Sequence, residues 1–241
     1  MSFTSFCSTE IIFTDKNQLE QKFFDLESNN IVLIMSKSSA LRWDMISFIN
    51  KLNYHCTDKG GLLIWIDEIN SNPTQLDIIS SLHKIGKRTI DTIIAIGGGS
   101  SIDLAKAISA FYNQSMNEKY TYETITDSII SKDFQNNEFT NIVAVPTTAG
   151  TGAEVTQWAT IWDAKKKSKY SIDDAKLKPK LAIITPELTY TVPPLNTLST
   201  GLDAMCQAIE AYWSKKTTPI VQEIAYRAVE IIIANLKKAI D

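Results

Sequence analysis

What most limits the fold open to this chain is an alternation repeated along its first half. A short, unbroken apolar run is followed each time by a stretch with helical periodicity. IVLIM (31–35) leads into an amphipathic segment from Ser39 to Leu52, LLIWI (62–66) into TQLDIISSLHKIGK (74–87), and TIIAI (92–96) into SSIDLAKAISAFY (100–112). Runs of this length without polar alternate positions suit strands covered on both faces, which is where helices return between parallel strands. The pattern predicts an α/β fold: a doubly wound parallel sheet of the Rossmann type. Further strands are expected at NIVAV (141–145) and KLAII (180–184). WATIWD (158–163) and KYSI (169–172), joined through Lys165, Lys166 and Lys167, read as a hairpin. Residues 113–140 are polar and read as an irregular excursion.

The character changes at Pro193–Pro194. GLDAMCQAIEAYWS and IVQEIAYRAVEIIIANLKKAI carry helical periodicity, with Ser199 or Thr200 as an expected cap. The expected division is therefore an α/β domain over 1–192 and the start of an all-helical domain over 193–241, a truncated one, since two helices are too few to enclose a core.

A 241-residue chain with 44% hydrophobic residues can bury a substantial core, and its net charge of −3 gives no reason to expect nucleic acid or an anionic membrane as partner. Cys7, Cys56 and Cys206 are odd in number and widely spaced, so buried thiols in a reducing compartment are expected rather than a disulfide framework. No run approaches the ~20 apolar residues of a membrane span. The first residues lack the pattern of a signal peptide, and a cytoplasmic location is expected. His55 and His83 are assigned structural roles only.

The segment DTIIAIGGGSSIDLAKAI places Gly97, Gly98 and Gly99 between a buried strand and a helix. Glycine lets backbone approach a bulky group, and the free amides at a helix start favour an anion such as a diphosphate. The spacing is neither GxGxxG nor the P-loop pattern. A tight strand-to-helix turn, with Ser100 as cap and Asp103 three positions on in a near capping box, reads equally well from these residues alone.

Read together, GGGSSIDLAKA, then PTTAGTGAEVT, then GLDAMCQAIEAYWS resemble the ordered motifs of the iron-containing alcohol dehydrogenase family, whose fold is shared with dehydroquinate synthase and glycerol dehydrogenase. The resemblance spans nearly the whole chain. It implies that Gly98, Gly99, Ser100 and Asp103 contact the diphosphate of a nicotinamide dinucleotide. It also implies Thr147, Thr148 and Thr151 at the nicotinamide end, Lys169 near the nicotinamide ribose, and Asn72 as a further contact. Lys37 stands where many members carry aspartate. A cation there, among Ser36, Ser38 and Ser39, suits a 2′-phosphate, so NADP is expected in preference to NAD.

In the family a divalent metal, Fe²⁺ or Zn²⁺, is held partly by an Asp-x-x-x-His pair on one helix face. The matching residues are Asp203 and Gln207, so a neutral amide replaces imidazole. No histidine follows His83 to supply the family's later ligands. Gln207 with Trp213 looks like the subset of members that reduce phosphonoacetaldehyde. The implied function is an NAD(P)-dependent alcohol dehydrogenase or aldehyde reductase acting on a small aldehyde or alcohol, with a homodimer as the expected assembly. Two alternatives stand beside it: a cofactor-binding fragment or pseudoenzyme without turnover, and a glycerol dehydrogenase-like relative.

Overall fold

A computed structural model describes residues 8–113, 117–163 and 165–240. In chain order the elements are β1 (Glu10–Phe13), α1 (Lys16–Phe24), β2 (Asn30–Ile34), α2 (Lys37–Arg42), α3 (Ile46–Asp58), β3 (Leu62–Ile66), α4 (Gln75–Ile85), β4 (Thr92–Gly97) and α5 (Gly99–Phe111). There follow α6 (Tyr122–Ser131), β5 (Asn141–Pro146), β6 (Trp158–Asp163), β7 (Ser168–Asp173), β8 (Leu181–Ile184), α7 (Pro194–Trp213) and α8 (Pro219–Ile240). Six strands form one sheet in the order β1-β8-β5-β4-β2-β3, every pairing parallel, and β6 and β7 form the antiparallel hairpin.

The core follows from the apolar runs. Ile31–Met35, Ile93–Ile96 and Ile142–Val145 are almost fully buried, as expected of strands covered on both faces. Helix α5 is buried nearly all round, from Ser101 to Phe111 with Asp103 half-buried, because it lies in the middle of its layer rather than on an outer surface.

Four local readings differ from the sequence expectation. The segment Ser39–Leu52 is two helices, broken where Asp44 takes a left-handed backbone (φ 54°), a conformation that aspartate tolerates. The polar excursion contains α6, started by a capping box between Thr121 and Thr124. Helix α7 begins at Pro194, so Ser199 and Thr200 are interior; a proline in the first turn loses no helical bond and supplied the stop signal and the start at once. The four-residue β1 adds a strand at the sheet edge, beside β8.

Two compact units are present. One comprises the sheet and its helices up to Pro146 together with Ala153–Glu187; the other comprises Thr147–Gly152 together with the chain from Leu188. Within the second, α7 and α8 pack together around Ala208 and Ala225. Cys56 is buried, Cys206 is exposed on α7 against expectation, and Cys7 lies outside the described residues.

Candidate functional site

The strand order reverses at one place. From β2 the chain moves outward to β3, then crosses back to lay β4 on the other flank of β2. In open parallel sheets this reversal leaves a crevice at the carboxyl ends of the two strands, and ligands bind there because the following loops diverge. Here the crevice is bounded by Ser36–Lys37 after β2 and Gly97–Ser100 after β4.

The glycine turn is tight for a local reason. A Cβ on Gly97 would stand 2.2 Å from Ser101 Oγ and 2.6 Å from Ser101 Cβ, so strand and helix can approach only without one. Gly98 is the N-cap of α5, extended (φ −76°, ψ −172°), and no side chain caps the helix. Its carbonyl accepts from Ser101 N (3.0 Å) and Ile102 N (3.3 Å). The amides of Gly99 and Ser100, at the first two helical positions, have no intrahelical partner. The capping box expected of Ser100 and Asp103 is not formed. Ser100 Oγ accepts from Asn72 N (3.2 Å), and Asp103 Oδ2 accepts from Thr160 N (3.0 Å) on β6. With both side chains turned to other elements, the helix start keeps its free donors and its positive dipole end.

The β3–α4 loop and β6 are tied to this turn and its helix. Asn72, held left-handed at φ 60°, reaches Ser100 from the β3–α4 loop. Trp162 N donates to Pro73 O (2.8 Å), tying β6 to that same loop. Lys106, on α5 two turns below the glycines, donates to Thr156 Oγ1 (3.1 Å) and to Trp158 O (2.8 Å). The Lys106 side chain is fully buried, and burial pulls its ammonium down to about 8 against the opposing pull of Asp103 and Glu154. Burial also raises the Asp103 carboxyl, offset in part by Thr160 N–H and Lys106. Lys169 is exposed on β7 opposite Trp162, with its ammonium 5.9 Å from the indole centroid.

Lys37 is exposed at the start of α2, its backbone N–H donating to Asp67 O (3.1 Å). The Asp67 carboxyl lies below its usual range, held first by a 3.0 Å hydrogen bond from Lys84 and further by the charges of Lys84 and Lys37. Asp67, Lys106 and Trp162 escaped the sequence reading. Lys106 did leave a trace: it is the one charged residue between Leu104 and Tyr112, in an otherwise apolar helix. Asp67 and Trp162 gave no signal, since only the pairing of strands brings them to the crevice.

In the second unit, Thr147 is buried, Thr148 half-buried and Thr151 exposed. Gly150 lets this loop lie on α7, where a Cβ would meet Thr200 O at 2.6 Å. A hollow of about 460 Å³ is lined by Thr148, Ala149, Thr189, Tyr190, Thr197 and Thr200, a wall rich in hydroxyls. Asp203 and Gln207 are both exposed on α7, and Gln207 Nε2 donates to Asp203 Oδ2 (3.0 Å). One carboxylate and one neutral amide, already bonded to each other, do not make a site for Fe²⁺ or Zn²⁺. Among the described residues no cluster of three or more His, Cys, Asp or Glu could hold a metal.

A parallel sheet with a reversed strand order, and an uncapped glycine turn at the reversal, defines a protein of the Rossmann-like class. Residues 8–186 match the iron-containing alcohol dehydrogenase family, and residues 197–241 match the C-terminal region of the same family; the chain belongs to the iron-containing alcohol dehydrogenases. It is 31% identical over 228 residues to an NADPH-dependent butanol dehydrogenase of Clostridium saccharobutylicum, covering 95% of this chain and 56% of that protein. An iron-containing alcohol dehydrogenase of Thermotoga maritima superposes with a TM-score of 0.82 at 27% identity, over 99% of this chain and 63% of the other. A sulfoacetaldehyde reductase of Bifidobacterium kashiwanohense, solved with NAD⁺, gives 0.81 at 26% identity, over all of this chain and 61% of its own. The chain thus spans little more than half the length of the first of these relatives.

Proposed function

We propose that this chain is the cofactor-holding part of an NAD(P)-dependent alcohol dehydrogenase or aldehyde reductase, with residues 1–192 binding the dinucleotide and 193–241 beginning the substrate side. The observation that carries this reading is the pair of unpartnered amides at Gly99 and Ser100, placed by Gly97 at the strand-order reversal. Gly98, Gly99 and Ser100 receive the diphosphate. Lys37 takes a 2′-phosphate, favouring NADPH; the NADPH-dependent relative agrees with this. Asp103 stands beside the diphosphate, Thr147, Thr148, Thr151 and Lys169 serve the nicotinamide end, and Asn72 is a further contact.

When bound, the nicotinamide supplies a hydride to, or accepts one from, the carbonyl carbon of a small aldehyde or its alcohol. The protein's share is placement and exclusion of water. Gln207 with Trp213, together with the sulfoacetaldehyde reductase neighbour, supports an aldehyde bearing an anionic phosphonate or sulfonate group as substrate. A second reading, cofactor binding without turnover, is favoured by the incomplete donor set at Asp203 and Gln207.

Titrating NADPH and NADH separately, then adding phosphonoacetaldehyde, sulfoacetaldehyde or butanal and following nicotinamide absorbance, tests the proposal. The expected result is tighter binding of NADPH and its oxidation by an anionic aldehyde. Saturable binding with no oxidation selects the second reading, and no binding of either dinucleotide ends both.

A further inference from the structure

Hairpin β6–β7 adds no strand to the main sheet, yet its attachments are polar and specific. Thr160 N donates to Asp103, Trp162 N to Pro73 O, and Lys106 donates to Thr156 and Trp158. On the far side, Tyr122 OH donates to Asp163 Oδ1 (2.5 Å), which also accepts from Lys166 N (2.9 Å). The hairpin's inner face, Ala159, Ile161 and Ile172, is buried against the core. Its outer face carries Trp158 and Trp162, both exposed, with Lys169 across from Trp162.

Lys106 is the unusual member. A fully buried ammonium is costly unless hydrogen-bonded and paired, and none of the ion pairs among the described residues includes it. Methionine or leucine would fill the same apolar helix without that cost. Its two hydrogen-bond partners are neutral oxygens at the entry to β6, so its hydrogen bonds are concentrated on where β6 begins. Two residues further along, the Asp103–Thr160 bond fixes the register from the same helix. Both anchors project from α5, whose first turn is the glycine turn itself.

We infer that Lys106 is a positioning residue: its buried ammonium, with Asp103, pins hairpin β6–β7 to the helix that carries the glycine turn and so fixes Trp162 and Lys169 relative to the free amides of Gly99 and Ser100. This rests on the dinucleotide reading for its consequence, though not for its mechanics. The pinning does not require either Lys106 or Asp103 to touch the nucleotide. Their effect travels through the hairpin backbone, and the Trp162–Pro73 bond passes it on to Asn72.

Two variants and two measurements test the inference. Lys106→Met removes the ammonium while filling its volume, and Thr156→Val removes one acceptor with almost no change of shape. Amide hydrogen exchange is followed over 158–163 and 168–173, with β4 as internal reference, and NADPH affinity is measured by quenching of tryptophan fluorescence. The expected result is hairpin exchange at least tenfold faster in Lys106→Met, β4 unchanged, and NADPH Kd raised about tenfold, the scale of one hydrogen bond to a charged group. Thr156→Val is expected to move both readouts the same way by a smaller factor of roughly three. Unchanged hairpin exchange in both variants overturns the inference, as does a loosened hairpin with unchanged Kd. If the unmodified chain binds no NADPH, the dinucleotide reading fails, while faster exchange in both variants still supports the pinning.

Discussion

The glycine turn on α5 and the Asp203–Gln207 pair on α7 are both places where the family motifs direct attention, and they are built from different material. The turn works through backbone: two amides without partners, a glycine that admits no Cβ, and a helix dipole, all supplied by one contiguous stretch. The pair works through side chains and offers a single carboxylate whose amide neighbour already bonds to it on an exposed surface. A backbone site is complete once its local geometry forms. A metal site is complete only when several donors arrive from separate elements, and one substitution, here glutamine where the family has histidine, removes a ligand outright.

The largest effect is expected at Gly97. Gly97→Val drives a side chain into Ser101, so the first turn of α5 must shift; overpacking of this kind costs about 1–3 kcal/mol. Dinucleotide titration should show binding lost altogether, and retained binding would mean that the close approach of strand and helix is not what shapes the site.

Lys106 comes next, because its folded and unfolded states titrate apart. Its ordinary value of 10.5 falls to about 8 on folding. At pH 7 both states are protonated and the burial cost is fully present. Between pH 8 and 10.5 the unfolded chain holds the proton that the folded chain has released, so stability rises with pH, by up to about 3 kcal/mol. Urea unfolding at pH 7.5 and pH 10, compared between the unmodified chain and Lys106→Met, isolates this group. The unmodified chain should gain on the variant as pH rises; a constant difference contradicts the burial argument.

A smaller change, about tenfold in the NADPH to NADH ratio, is expected of Lys37→Asp, since a carboxylate there repels a 2′-phosphate and can bind a ribose hydroxyl. Competitive titration of the two dinucleotides reads it directly. The smallest belongs to the other side of the comparison. Gln207→Ala breaks only an exposed hydrogen bond and should alter stability by less than about 0.5 kcal/mol. Thermal melts with added Fe²⁺ or Zn²⁺ should be the same with and without the substitution. A metal-dependent rise in Tm that needs Gln207 would show that the two sites are more alike than their donors indicate.

Much of this was legible from residues alone. The apolar runs at 31–35, 92–96 and 141–145, alternating with helical patterns, read as strands covered on both faces, and three glycines at a strand end limited the turn that follows. What could not be read was which side chains the turn would leave free. Ser100 and Asp103 have the spacing of a capping box, and tertiary contacts from Asn72 and Thr160 draw them elsewhere. Lys106 had no visible partner in sequence, because Thr156 and Trp158 lie fifty residues away along the chain. The helix hidden in the polar stretch, α6, depended on a threonine capping box amid residues that otherwise resemble loop.

In the proposed function, unsatisfied amides at the start of α5 receive the cofactor's diphosphate. Amide chemical shifts of the ¹⁵N-labelled chain, followed as NADPH is added, test it most directly. Saturable changes are expected, largest at Gly99 and Ser100 and fading along α5 beyond its first turn. Saturable binding that leaves those two amides unmoved would contradict it.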